Sequence, residues 1–124
     1  MADFEHLLNS YDVGDRIDEI ASSDPPAYLK RCFAEGISAS ELSRTRIQEL
    51  AVCGMVLDSI LNDRAYDAVE PELISDWRAH YALAAAHLKD TAVAALRRAL
   101  DSLRPQDADA AAELEALEHR LAPS

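Results

Sequence analysis

Glycine is nearly missing from this chain. It occurs at Gly14, Gly36 and Gly54, and nowhere after Met55. Sheet proteins need glycine-bearing turns and runs of β-branched or aromatic residues, and aromatics make up only 6% of this sequence. Strands are therefore not expected. Cysteine is scarce too. Cys32 and Cys53 are too few and too far apart for the disulfide framework of a small secreted protein. They read as reduced thiols, with core packing the plain account of both. Of the two, Cys32, beside Lys30 and Arg31, is the better placed to ionise. Basic residues are few as well, twelve against twenty-three acidic ones, for a net charge of −11. A nucleic-acid binder needs a positive footprint on the phosphates. The nearest candidate, Arg97, Arg98 and Arg104, has Asp90 and Asp101 close by. Direct contact with nucleic acid is not expected, nor with anionic membranes. No apolar run reaches membrane-spanning length. Met1 to Asn9 carries acid rather than the basic start of a secretory signal. A cytoplasmic protein is expected.

What the chain does have is alanine and leucine at helical spacing. Its length fits one domain with a single core. An all-α fold of five to six helices is expected, either a compact bundle or stacked hairpins. Residues 1–24 form an acidic segment holding one or two short helices, with Phe4, Leu7 and Leu8 on one face and Ile17 and Ile20 on another. Core helices follow at about 25–35, 38–62, 71–89, 91–104 and 107–121. Asp24 before Pro25-Pro26 has the form of a capped helix start, and Gly36 that of a left-handed end. Ser38 and Glu41 have capping-box spacing. In the helix that follows, Leu50, Cys53, Leu57 and Ile60 form a stripe widened by Val52, Met55 and Val56. A helix so apolar around its circumference belongs at the centre. Gly54 costs it about 1 kcal/mol against alanine, which a close helix crossing would explain. Pro71 opens the next helix, with Leu73, Trp77, Tyr81, Ala84 and Leu88 on one side. Thr91 is the expected cap of another, in which Ala92, Leu96, Ala99 and Leu103 face inward. In the last helix, Ala110, Leu114, Leu117 and Leu121 lie at heptad spacing. Such a seam needs a partner: either the preceding helix, or another copy of the chain in a homodimer.

Three stretches resemble known families. Residues 77–105, with Trp77, Ala92, Leu96, Ala99 and Pro105, resemble one helical hairpin of a tetratricopeptide repeat, which implies partner binding rather than catalysis. No second copy appears at that family's period. His87-Leu88-Lys89-Asp90 is similar to the motif of histidine phosphotransfer modules. One residue is missing, however, and Asp90 stands where that motif has glycine. Tyr28 to Arg44 resembles a helix-turn-helix, whose second helix would carry Arg44, Thr45, Arg46 and Gln48. The charge of the whole chain opposes that use.

No catalytic constellation, metal or cofactor is expected. Glu72, Asp76 and His80 recur every four residues, with His87 two turns beyond. That face could hold a metal only with a second ligand helix, and none is evident. It reads as a solvated face. His6 and His119 lie in polar helical ends. The chain is expected to be a small acidic interaction module, an adaptor, chaperone-like or regulatory subunit, without enzymatic activity. The alternative is an acidic inhibitor or immunity-type protein whose target presents a basic surface. Asp3, Glu5, Asp12, Asp15, Asp18, Glu19 and Asp24 would then meet the partner.

Overall fold

The computed structural model describes residues 4–9 and 11–122. These contain six helices and no strand: α1 (Val13–Ser22), α2 (Pro25–Ser38), α3 (Arg44–Asn62), α4 (Pro71–Ala86), α5 (Lys89–Leu103) and α6 (Ala108–Leu121). They pack as an all-α bundle around α3. From Ile47 to Ile60 every residue of α3 except Glu49 is buried, because α1, α2, α4, α5 and α6 all lie against it. Gly54 is the closest crossing. A Cβ there would stand 2.9 Å from Cδ2 of Leu117 on α6 and 3.4 Å from Cδ1 of Leu96 on α5. The helix-propensity penalty of this glycine is offset by what its missing side chain lets in.

Four helix boundaries differ from the sequence reading, each for a local reason. Gly36 does not end α2. It is helical, and its bare Cα admits Leu50, whose Cδ2 would lie 2.8 Å from a Cβ. Asp24 precedes Pro25 but makes no side-chain capping bond. The Ser38–Glu41 capping box does not form. Ser38 is the last residue of α2, and α3 begins at Arg44, where the Ser43 hydroxyl accepts the Arg46 amide at 3.1 Å. α4 stops at Ala86 rather than running to residue 89, and α5 begins at Lys89 without Thr91 as its cap. Buried Leu88 holds this bend: its amide donates to Ala85, and its carbonyl accepts from Ala92 at 2.9 Å.

The bend matters for the architecture. α4 lies on α3 and touches α2, whereas α5 packs against α6, α2 and α3. Although consecutive, α4 and α5 barely meet, so residues 77–105 are not a closed hairpin. On α4 the buried residues are Ile74, Trp77, Ala85 and the adjoining Leu88. Leu73 and Tyr81 are half-buried, and Ala84, expected inside, is exposed. On α5, Ala92, Leu96, Ala99 and Leu103 all face inward. α6 starts where the Asp107 carboxylate accepts the Ala110 amide at 3.0 Å. Arg44 ties this cap to the N-terminal turn, reaching Asp107 at 3.1 Å and the His6 carbonyl at 2.9 Å.

Candidate functional surfaces

The heptad seam of α6 is used inside the chain. Ala110, Leu114, Leu117 and Leu121 are all fully buried against α5 and α3. The preceding helix is the partner that spacing called for, so this seam offers nothing to a second copy.

A different seam is open. On α4, Glu72, Asp76, Ala79, Leu83 and Ala86 follow one another at four, three, four and three residues, and every one is exposed. Leu83 is 77% exposed. Among the described residues it and Ile37, at 41%, are the large hydrophobic side chains left in solvent. The bend after Ala86 causes this. It carries α5 away, so nothing folds back over the outer side of α4. The first two turns of the seam are acidic and the last two apolar. Asp76 also holds His80, whose Nδ1 lies 3.2 Å from its carboxylate and 2.8 Å from its carbonyl oxygen. His87 is exposed at the bend, and no group of three metal-ligating side chains forms among the described residues.

The acidic residues are dispersed. Asp3 lies outside the described residues. Glu5 is exposed in the 4–9 turn, Asp24 between α1 and α2, and Asp12, Asp15, Asp18 and Glu19 on α1 or at its start. Glu19 is paired with Arg16 at 3.1 Å. Asp12 caps α1 by accepting the Asp15 amide at 3.0 Å. The hydrogen bond and charge of Asp12, then the charge of Asp18, push the Asp15 carboxyl above its ordinary range.

Two of the polar clefts on the surface are lined by ion pairs. One, of ≈ 510 Å³, is lined by Asp58, Asn62, Asp63, Arg64, Ala65 and Arg120. Its floor is the fully buried Asp58, which accepts from the Tyr66 hydroxyl, from Asn62 and from Arg120 Nε at 3.0 Å. Arg120 also donates to the Tyr66 oxygen at 2.8 Å. Burial, then the bond to Asp58, raises the Tyr66 pKa. These bonds clamp Tyr66, and with it the 63–70 loop, to α3 and α6. A second cleft, of ≈ 400 Å³, lies where α1, α2 and α3 meet. It is lined by Arg16, Arg31, Arg46, Glu19, Glu35 and Glu49, with Tyr28 and Cys32. Glu49 lies 3.4 Å from both Arg16 and Arg46.

Of the side chains that a helix-turn-helix would turn toward DNA, Thr45 is exposed and the other three are engaged internally. Arg44 and Arg46 bind Asp107, Glu35 and Glu49, and Gln48 is buried with its amide on the Leu7 carbonyl at 3.0 Å. No family model, curated protein or solved structure matches this chain. No helix among the described residues is long and apolar enough to cross a membrane.

The sequence reading missed the α4 seam and the Asp58 clamp. For the seam the signal was present: Leu83 stands at heptad spacing from Asp76, Ala79 and Ala86. The step-of-four pattern of Glu72, Asp76 and His80 hid it. The clamp had no local signal, because Arg120 lies 62 residues from Asp58.

Proposed function

We propose that this chain is a protein–protein interaction module without catalytic activity, and that α4 receives a helix of its partner along the outer seam. The supporting observation is Leu83, 77% exposed on an alanine-lined stripe in a chain that buries nearly every other large apolar side chain. Exposed apolar stripes of this kind mark interaction sites. Covering Leu83 alone contributes about 2 kcal/mol, and the alanines beside it allow close helix approach. The partner helix has small or leucine residues at its own a and d positions. One of its ends is basic, to meet Glu72 and Asp76. This is helix recognition by regularly spaced anchors.

The test is capture from the native host by immobilised protein, with the captured segment mapped by cross-linking. Leu83→Glu abolishes capture, Asp76→Lys weakens it, and Asp18→Lys leaves it unchanged. Undiminished capture by L83E, or a captured segment that is not helical, contradicts the proposal.

A second reading, an acidic inhibitor, is supported by Asp12, Asp15 and Asp18, all exposed at three-residue spacing along α1 and its cap. Under it D18K rather than L83E removes binding. Affinity then falls steeply with salt, because exposed charges are screened beyond about 10 Å at 0.1 M.

A further inference from the structure

The cleft between α1, α2 and α3 has one thiol, Cys32, in its wall, and a second, Cys53, is buried on α3; neither belongs to the α4 seam. The Cys32 Sγ–H donates to Glu49 Oε1 at 3.5 Å. Cys53 follows Glu49 by one turn of α3, so it shares that face. It is fully buried, on the helix that α2, the helix of Cys32, packs against. Close packing of the two helices here is visible independently. Gly36, one turn beyond Cys32, is where α2 admits Leu50 of α3. A disulfide needs such proximity of backbones. Both cysteines are free thiols in the structure.

We propose that Cys32 and Cys53 are a peroxide-modifiable pair that closes to an intramolecular disulfide joining α2 to α3. The carboxylate of Glu49 takes the Cys32 proton. The thiolate attacks one oxygen of hydrogen peroxide, the O–O bond breaks, and the departing hydroxide leaves as water with that proton. Cys32 is then a sulfenic acid. The Cys53 sulfur attacks it, the S–O bond breaks, and the hydroxyl leaves as a second water with the Cys53 proton. Two thiols lose two electrons and one peroxide is reduced to two waters. Cys32 reacts first because it borders the cleft, with Glu49 in reach of its proton and Arg46 lining the same wall. Cys53 resolves the sulfenic acid because it is enclosed and has no route to peroxide. Burial, then the Cys32 thiol, holds its pKa well above the ordinary thiol range.

The experiment treats the folded protein at low concentration with hydrogen peroxide, quenches with catalase, denatures, alkylates with iodoacetamide and maps peptides by mass spectrometry. The expected product is a linked Cys32–Cys53 peptide pair two hydrogens lighter than its parts, with both alkylation sites lost. Cys53→Ala is expected to leave a Cys32 sulfenic acid that dimedone traps, and Cys32→Ala to leave Cys53 unoxidised. Glu49→Gln slows closure by about a hundredfold at neutral pH and recovers at high pH, where the thiol ionises without help; a packing role alone gives no such recovery. Two thiols still fully alkylated, a bond between chains instead of within one, or over-oxidation of Cys32 without a link overturns the proposal. The parent protein alone decides this, so it does not depend on whether the variants fold.

Discussion

α6 sets Ala110, Leu114, Leu117 and Leu121 at intervals of four, three and four, and α4 sets Glu72, Asp76, Ala79, Leu83 and Ala86 at four, three, four and three. The first set is fully buried and the second wholly exposed. Heptad spacing thus fixes which side chains share a stripe and leaves open what covers it. Two physical differences separate the seams. Three leucines supply α6 with several times the apolar area that one leucine supplies α4. The short link after Leu103 also returns α6 onto α5, whereas the bend at His87-Leu88 sends α5 away from α4.

The largest effect is expected where α6 is anchored at its far end. Asp58→Ala leaves Arg120 and Tyr66 without their buried carboxylate and lowers stability by about 4 kcal/mol, measured by urea unfolding. Leu114→Ala empties part of the covered seam and lowers stability by about 3 kcal/mol in the same assay. Gly54→Val drives a side chain into Leu117 and Leu96. It loses about 2 kcal/mol although valine is the better helix former. Ala79→Leu with Ala86→Leu makes the open seam resemble the closed one. The expected result is self-association by sedimentation, with little change in helicity.

The pH dependence has a definite sign. The native Tyr66 proton is held above its ordinary value of 10.0, whereas the unfolded chain releases it near that value. Above that pH the unfolded state binds fewer protons, so stability falls as pH rises. Tyr66→Phe flattens this alkaline slope. It does not abolish the slope, because Tyr11 and Tyr28, desolvated by burial, are raised as well.

Most of the fold was legible in residue pattern. Gly and aromatic scarcity excluded sheets, Pro71 opened its helix, and the all-round apolarity of residues 47–60 placed α3 at the centre. Boundaries were less legible, because side chains that suit two roles were decided by packing. Gly36 looks like a helix stop and serves as a slot for Leu50. Thr91 looks like a cap but lies inside α5, since burying Leu88 fixes the bend two residues earlier. The working surfaces were the least legible. A stripe of one leucine and two alanines carries no mark of exposure until the direction of the next helix is known.

Guanidinium unfolding of Leu83→Asp beside Leu117→Asp tests most directly whether the α4 seam is the uncovered one. Leu83→Asp should stay within about 0.5 kcal/mol of the parent, while Leu117→Asp should lose most of the stability or fail to fold. Equal losses at the two positions would mean that α4 is already covered, and would contradict the account.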